Sequence, residues 1–422
     1  MKLIIENIGS ITHVAVELGN LTVIAGENDV GKSTVGRVFF ALVQAFSNYP
    51  VALKKMNNTK MRRVLERILM DIRKYVPLSQ HPEFRRLFSL PRRGEIQDLD
   101  SYFNELTHVL KEFENHTELP SEIFTRAQSQ LAALYAEVHE PDSEDDAIAN
   151  AIFRALRSEF TGEIINKYQT NNAKITVVDG ATTILEITFD EAGVIEFKGS
   201  GPLGLEDATL VEGPAILQYR NALGGFDEIG EPRFFSGSIP FHSIDLVRKL
   251  RNSHYATSEI SSSLPVQFQK LYEGEMGYDD DADDFLLKRG LHKISSNNTA
   301  TGIKALAILE LLIKGDYVRE DTILILDEPE TSLHPKWQIA YAKIICALTE
   351  LGARVLVTTH SPYMLEALKG YSSKNAENYF YLAQKERDNA IHYHDTSGDI
   401  SPIIAALSQP LEDLIDEIGH DF

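Results

Sequence analysis

One short stretch of the chain, residues 26–34, has the residue types and the spacing that bind phosphate groups. Its two glycines let the backbone curl so that several N–H groups point into one anion-sized hollow. Lys32 would add a positive charge between the β- and γ-phosphates, and the Ser33 hydroxyl would be a ligand for Mg²⁺. We therefore predict a nucleoside triphosphate site with a magnesium ion. The residues concerned are Gly26, Glu27, Asn28, Asp29, Val30, Gly31, Lys32, Ser33 and Thr34.

The sequence on each side of this stretch supports the interpretation. Residues 21–25 form an apolar run that predicts a strand. Apolar residues then recur at helical spacing from Val35 to Val43, which predicts a helix that ends near residue 50, where a proline stands. The alternative is a chance glycine-rich turn, and the strand before it and the helix after it argue against that alternative.

Two further strands are predicted to end in acidic or histidine side chains. The apolar run 322–326 is typical of a strand buried on both faces of a parallel sheet, and Asp327 and Glu328 follow it directly. Because the carboxyl ends of such strands face the ligand crevice, we expect Asp327 to hold Mg²⁺ and Glu328 to act as general base. His360 follows the strand predicted at 354–359 and would lie within reach of a γ-phosphate, although a lone histidine after a strand is usually structural.

Composition indicates a globular protein without internal disulfides. Of 422 residues, 43% are hydrophobic and 24% are charged, which is ordinary for a soluble domain. Cys346 is the only cysteine and lies in an apolar helical pattern, so a buried thiol in a reducing cytoplasm is expected. The N-terminal apolar run is too short for a signal peptide, and no apolar stretch reaches membrane-spanning length. We therefore expect a soluble cytoplasmic protein.

The charge is unevenly distributed along the chain. A net charge of −21 argues against a broad nucleic-acid surface. Between residues 51 and 93, however, twelve basic residues are accompanied by only three acidic ones. This segment is either a solvated helical face or a patch for nucleic-acid phosphates or an acidic partner, and both interpretations stay open. Its basic residues are Lys54, Lys55, Lys60, Arg62, Arg63, Arg67, Arg73, Lys74, Arg85, Arg86, Arg92 and Arg93.

The order of the predicted elements indicates how the chain is organised. Residues 51–173 have a helical pattern over most of their length, so we interpret them as an insertion. From residue 174, three short strand-like runs predict an antiparallel meander.

The acidic run 279–284 lacks the glycine and the distal glutamate of a calcium loop, so we expect a solvated loop there.

Three motifs together resemble those of a known family of ATPases. They are the Walker A loop at 26–34, Leu-Asp-Glu-Pro-Glu-Thr-Ser-Leu-His-Pro at 326–335 and Thr-Thr-His-Ser-Pro-Tyr at 358–363. These motifs are similar to those of ABC-type ATPases, and among them to the SMC/RecF-like branch that contains the OLD-family, Septu PtuA and PARIS AriA ATPases. The resemblance implies an α/β fold, an ABC-type P-loop nucleotide-binding domain with a two-lobed sheet. Residues 1–50 and 174–422 would form it around the helical insertion at 51–173.

The same resemblance implies that two subunits enclose two ATP molecules, each site being completed by a signature motif of the partner. The corresponding residues are Thr301 and Gly302, which precede an apolar helix whose N–H groups could meet a γ-phosphate. A Q-loop glutamine is implied after the meander; Gln218 is the candidate, since Gln44 lies too close to the phosphate loop. Residues 332–334 would form the segment that crosses the dimer interface.

OLD-family proteins also carry a C-terminal TOPRIM nuclease. The 58 residues after Met364 are too few for such a domain, so we expect that another chain cuts nucleic acid if any is cut. His392, His394 and Asp395 could suggest a metal site, but alternating strand residues beside a turn explain them better.

The resemblance points to an ATPase of bacterial anti-phage defence. We expect Mg²⁺-dependent ATP binding and hydrolysis that drives subunit association, as a dimer or a higher even number, and controls a separately encoded nuclease or toxin. One alternative is a DNA-repair or chromosome-maintenance ATPase that uses the basic segment on DNA. Another is a scaffold that binds ATP without hydrolysing it. A membrane-transport subunit is less favoured, since the Leu-His-Pro motif and the large insertion do not match that branch.

Overall fold

The chain forms two compact units, the first made of residues 1–47 with 148–422 and the second of residues 48–147. Each unit has a hydrophobic core of its own. The computed structural model describes residues 1–76, 88, 99–116, 120–139, 144–168, 171–199, 201, 203–218, 239–255, 263–374, 377–386 and 390–419.

Strands and helices are numbered here in chain order. The strands of the described part are β1 Lys2–Ile8, β2 Ile11–Glu17, β3 Leu21–Gly26, β4 Ala173–Asp179, β5 Thr182–Phe189, β6 Val194–Gly199, β7 Asp207–Val211, β8 Glu275–Asp279, β9 Asp284–Arg289, β10 His292–Ser295, β11 Thr322–Asp327, β12 Arg354–Thr359, β13 Asn378–Lys385 and β14 Ile391–Asp395. Its helices are α1 Lys32–Arg73, α2 Leu99–His116, α3 Ser121–His139, α4 Glu144–Glu159, α5 Phe241–Asn252, α6 Ser263–Tyr272, α7 Thr301–Lys314, α8 Pro335–Glu350, α9 Pro362–Tyr371 and α10 Ser401–Gly419.

A six-stranded sheet in the first unit carries the phosphate-loop stretch. Its strand order is β14-β13-β3-β12-β11-β7, and all neighbours are parallel except the antiparallel pair β13 and β14. Strand β3 is buried throughout, and β11 and β12 are buried over nearly their whole length, as expected when helices cover both faces of a parallel sheet. The loop at 27–31 joins β3 directly to α1. This is an α/β fold of the P-loop type, and the predicted fold class is confirmed.

Apolar helices supply much of the core beside this sheet. Helix α7 is buried at every residue from Gly302 to Ile313. Its Leu306 and Leu309 belong to the same core as Leu324 of β11 and Val357 of β12. Helices α8 and α9 contribute to that core as well. The strands that end at the candidate site are therefore held in a rigid, close-packed interior.

Two antiparallel sheets complete the first unit. One has the strand order β2-β1-β4-β5-β6, and the other has the order β10-β9-β8. The predicted meander is confirmed as β4, β5 and β6, and it extends the β1–β2 hairpin because β1 pairs with β4, with Leu3 opposite Val177. The acidic run 279–284 forms the turn between β8 and β9, where Lys293 pairs with Asp279 at 3.0 Å.

The second unit is helical and contains the C-terminal part of α1 together with α2 and α3. Apolar side chains at helical spacing on each helix meet in one core. None of the described helices is both long and apolar enough to cross a membrane. The core residues are Met61, Leu65, Ile68, Ile72, Val76, Phe88, Phe103, Leu106, Leu110, Phe113, Phe124, Ala127, Leu131 and Leu134.

Two boundaries differ from those expected from the sequence. The first helix was expected to end near residue 50, whereas α1 continues to Arg73. A proline such as Pro50 removes one backbone hydrogen bond, and a helix can continue past it. The insertion was placed at 51–173, whereas the compact second unit spans 48–147. The difference at the C-terminal boundary arises because α4 belongs to the first unit from Ile148 onward, where the Phe153 and Phe189 ring centroids are 5.7 Å apart.

Candidate functional site

The loop between β3 and α1 depends on a glycine at its C-terminal end. Gly31 has a φ of +73°, and a Cβ atom there would lie 2.6 Å from Cγ1 of Ile11. On another side, the Tyr393 hydroxyl donates to the Val30 carbonyl oxygen at 3.1 Å. Residues 27–29 at the tip are exposed. Because α1 begins directly behind the loop, its first N–H groups have no partner within the helix and face the same hollow.

Lys32, the first residue of α1, is folded back over the loop. Its Nζ atom donates to the carbonyl oxygens of Gly26 and Glu27 at 2.9 and 2.5 Å, and it lies 3.8 Å from Oε1 of Glu328. Burial lowers the pKa of Lys32, whereas the charges of Glu328 and two neighbouring carboxylates act in the opposite direction. The ammonium group is thus held between the loop and the acidic end of β11.

Ser33 and Asp327, the two residues predicted to hold Mg²⁺, are in direct contact. The Ser33 hydroxyl donates to Oδ1 of Asp327 at 3.0 Å, and the Thr358 hydroxyl donates to the same oxygen. Burial raises the pKa of Asp327, and both hydrogen bonds act in the opposite direction. A hydroxyl and a carboxylate beside each other are the hard oxygen ligands that Mg²⁺ prefers, so these residues fit the ion.

The imidazole of His360 lies beside two glutamates. Its Nδ1 atom is 3.4 Å from Oε1 of Glu328 and 3.5 Å from Oε1 of Glu330. Glu328 has a φ of +48°, a strained value for a residue with a side chain. Its N–H group is fixed by the carbonyl oxygen and the hydroxyl of Thr358, both at 3.1 Å. The backbone turns at the end of β11 in a conformation that brings Glu328 near both Lys32 and His360.

Glu330 is a further member of this site, and no role was predicted for it from the sequence. Its Oε1 atom accepts hydrogen bonds from the Thr359 hydroxyl at 2.7 Å and from the His360 N–H at 2.8 Å. The side chain is 3% exposed, and its Oε2 atom is buried without a hydrogen-bond partner among the described residues. Its sequence signal is its place in the motif at 326–335, two residues after Glu328 and just beyond a buried strand.

A second group of charged side chains lies at the end of β7. Leu326 pairs with Val211 in the parallel register of β11 and β7, so Asp327 and Glu212 are the next residues of the two strands. Arg37 of α1 donates two hydrogen bonds to Oε1 of Glu212, at 2.9 and 2.5 Å. Burial is the main cause that raises the pKa of Asp327. The negative charge of Glu212 raises the same pKa by a smaller amount.

His242, near the start of α5, connects Glu212 to Glu159 at the end of α4. Its Nε2 atom lies 3.2 Å from Oε2 of Glu212, and its Nδ1 atom lies 2.6 Å from Oε2 of Glu159. Burial disfavours a charged ring, but the hydrogen bonds and charges of the two glutamates outweigh it and raise the pKa of His242 to about 9. Burial likewise disfavours the charged form of Glu212, but His242 and Arg37 outweigh it and lower the pKa to about 2.

The other predicted site residues lie outside these two groups. Gln218 follows a short 3₁₀ turn after β7; its side chain is exposed and, in the part of the chain that is described, makes no hydrogen bond to either group. Thr301 and Gly302 begin α7. A Cβ atom at Gly302 would lie 3.2 Å from both the Ser332 carbonyl oxygen and the Trp337 ring. The Q-loop and signature roles stay predictions.

Several other polar residues considered from the sequence have structural contacts. Gln44 is buried and donates to Oδ1 of Asp207 at 2.7 Å. His392 and His394 lie 3.9 and 3.7 Å from the Glu386 carboxylate. Across the described ranges, no group of three histidine, cysteine, aspartate or glutamate side chains could hold a metal ion. His334 accepts a hydrogen bond from a backbone N–H and caps α8.

Part of the chain matches a described protein family. Residues 236–366 match the family described as "AAA domain, putative AbiEii toxin, Type IV TA system". That is less than half of the chain. The matched stretch contains Asp327, Glu328, Glu330 and His360 but begins after the loop at 26–34. No curated protein matches the chain.

Solved SMC head domains are among the structures to which this chain is similar. The SMC head domain from Thermotoga maritima has a TM-score of 0.39 and 12% identity, with 93% of this chain and 97% of that chain covered. The Smc head domain from Pyrococcus furiosus, with an extended coiled coil and bound to the C-terminal domain of ScpA, has a TM-score of 0.43 and 11% identity, with 99% and 98% covered.

We predict that the buried charge of His242 makes the free energy of unfolding depend on pH. Its pKa is raised from 6.5 to about 9 on folding, so its contribution is complete below the unfolded pKa and is lost as the pH rises through about 9. The contribution is about 3 kcal/mol at most. Urea unfolding of the wild type and of His242→Gln should therefore differ at neutral pH and converge at alkaline pH.

The matched control for this experiment is His13→Gln, which replaces an exposed histidine. Its unfolding free energy should follow that of the wild type at every pH. A difference between the wild type and His242→Gln that stays constant across the pH range would show that the ring is not charged in the folded chain.

Proposed function

We propose that this chain binds ATP with Mg²⁺ and hydrolyses the ATP to ADP and phosphate. The observation that carries the proposal is the convergence of five side chains at one edge of the six-stranded sheet. They lie at or just after the C-terminal ends of three neighbouring parallel strands, β3, β12 and β11. The residues are Lys32, Ser33, Asp327, Glu328 and His360.

The loop and the start of α1 would bind the phosphates. Their N–H groups and the helix dipole favour an anion in the hollow. The Lys32 ammonium is bound by two loop carbonyl oxygens, so it is already placed at the edge of that hollow. Ser33 and Asp327 would hold Mg²⁺, which neutralises charge on the phosphate oxygens when bound. The exposed residues 27–29 leave the loop accessible to a nucleotide.

Glu328 would accept a proton from the attacking water. Such a base must be held within hydrogen-bond reach of its target, and the two contacts of its N–H group with Thr358 fix its backbone. His360 lies beside Glu328 and is half-exposed, so its ring can reach a γ-phosphate. Glu330 holds the His360 N–H and lies near the ring, which makes it a positioning residue for His360.

The assembly of the chain is also proposed. Two copies would enclose two ATP molecules, with Thr301 and Gly302 of each copy completing the site of the other. The contact of Gly302 with Ser332 and Trp337 supports this, because it places the start of α7 beside the segment 332–334 that the resemblance puts at the interface. The motifs at 26–34, 326–335 and 358–363 support the control of a separately encoded effector in anti-phage defence, through their resemblance to defence ATPases.

Replacing Glu328 by glutamine tests the proposed chemistry. We expect ADP release to fall by about a hundredfold or more, because the base is lost, while ATP binding is retained. Glu366→Gln on α9, an exposed position, is the matched control and should hydrolyse ATP like the wild type. Hydrolysis that is unaffected by Glu328→Gln would remove the catalytic assignment, whereas ATP binding without hydrolysis by the wild type would favour a scaffold. Light scattering of Glu328→Gln with Mg²⁺ and ATP would then show whether ATP joins the subunits.

Replacing Glu330 by glutamine tests its positioning role. Glutamine keeps an oxygen that accepts from Thr359 and the His360 N–H, but it removes the charge near the ring. We expect kcat to fall by about tenfold with little change in the KM for ATP. In a His360→Ala background the same substitution should have little further effect, because the residue acts through His360. Equal losses in both backgrounds would contradict the proposal.

A second candidate function is action on nucleic acid. It is favoured by Arg62, Arg63 and Arg67, which are exposed on α1. Arg73 is exposed as well, and Lys74 pairs with Asp71 at 2.8 Å. The side chains of the remaining basic residues of the segment lie outside the described part; these are Lys54, Lys55, Lys60, Arg85, Arg86, Arg92 and Arg93.

Gel shifts with duplex DNA test this second candidate. If the segment binds phosphates, Arg62→Ala with Arg63→Ala should weaken binding and reduce the salt slope by about 2. Lys288→Ala with Lys385→Ala removes two exposed charges elsewhere and should leave binding unchanged. The absence of a shift at low salt would exclude DNA as the partner of the basic segment.

A further inference from the structure

Helix α10 is partly buried before Pro410 and exposed after it. Before this residue, Ile403 is fully buried, and Ile404 and Leu407 pack against the core of the first unit. After it, every residue from 411 to 418 is exposed. The first half of the helix is therefore fixed to the protein, and the second half presents its side chains to solvent.

The exposed half carries an apolar stripe. Leu411, Leu414, Ile415 and Ile418 are 61%, 48%, 59% and 50% exposed. Their spacing of three, four and seven residues places them on one face of the helix. Single exposed apolar residues are common, but four that adjoin on one helix face form a patch of the kind that marks an interaction site.

Acidic residues border this stripe on both sides. Glu412, Asp413, Asp416 and Glu417 are all exposed. Residues 401–419 contain no lysine or arginine. On a helical wheel, Glu412 and Glu417 are the acids nearest to the apolar stripe, one on each side. Two copies of this helix would bring like charges together at the edges of the contact, which is unfavourable.

We propose that the C-terminal half of α10 is a docking surface for an amphipathic helix of another protein, one with lysine or arginine beside its apolar stripe. Burial of the two stripes would supply affinity, and the opposite charges at the rim would supply specificity and a faster association. The charge pattern selects this occupant over a second copy of the chain. The proposal does not depend on ATP hydrolysis, since no residue of the nucleotide site takes part.

The test uses synthetic peptides and the full chain, without nucleotide. One fluorescent peptide has leucines at helical spacing with lysine flanks, a second has the same leucines with glutamate flanks, and a third has the composition of the first in scrambled order. Anisotropy titrations should show that the lysine-flanked peptide binds at least about tenfold more tightly than the other two. Its affinity should fall as salt screens the charges, within the range of about 0.05 to 0.5 M.

Substitutions on the helix separate the two contributions. Ile415→Ser should weaken binding of the lysine-flanked peptide by about tenfold. Glu412→Lys with Glu417→Lys should reverse the preference, so that the glutamate-flanked peptide becomes the tighter ligand. The matched controls are Ile195→Ser and Glu191→Lys, which change an exposed apolar residue and an exposed acid near β6 and should bind like the wild type. Melting temperatures verify that each variant is folded.

Three outcomes would overturn the proposal. The first is binding of the lysine-flanked peptide that Ile415→Ser does not weaken. The second is equal binding of the lysine-flanked and scrambled peptides, which would show that charge attraction alone accounts for binding and that no apolar helix face is recognised. The third is a wild-type dimer in light scattering that Ile415→Ser dissociates, since this would make a second copy of the chain the occupant.

Discussion

The parallel pairing of β3, β12 and β11 is the constraint on which the candidate site depends. Ala25 pairs with Thr359, and Asp327 pairs with Thr358, so the three strands end at the same level. The chain therefore leaves all three strands at one edge of the sheet. A slip of β12 by one residue would exchange the faces of Thr358 and Thr359, and the contacts of their hydroxyls with Asp327 and Glu330 would be lost together.

The two groups of charged side chains at this edge of the sheet differ in net charge. Arg37 and His242 offset Glu212 and Glu159, so the group at the end of β7 is close to neutral when the histidine is charged. Beside it, Asp327, Glu328 and Glu330 lie near Lys32, the one lysine whose contacts with them are found in the described part of the chain. An excess of carboxylates that are buried or partly buried is unfavourable on its own, and a divalent cation would relieve it. The charges of the first group balance without an added ion, whereas the second group is suited to bind a cation.

The sequence predicted those parts of the site that belong to short local motifs. The loop at 26–34, the pair Asp327 and Glu328, and His360 each follow a recognisable strand, and the structure brings them together. The four charges of the other group come from positions 37, 159, 212 and 242, and no local pattern relates them. Glu330 is adjacent in sequence, yet its importance rests on a register that only the folded sheet reveals.

The strand order has a consequence for how the chain folds during synthesis. Strand β3 lies near the N-terminus, but both of its neighbours in the six-stranded sheet, β12 and β13, come from beyond residue 350. Most of the chain must therefore leave the ribosome before β3 can pair there. Contacts of such high sequence separation slow folding and leave an apolar strand exposed in the nascent chain. We expect the phosphate loop to be among the last parts to form, which would delay nucleotide binding until the sheet is complete.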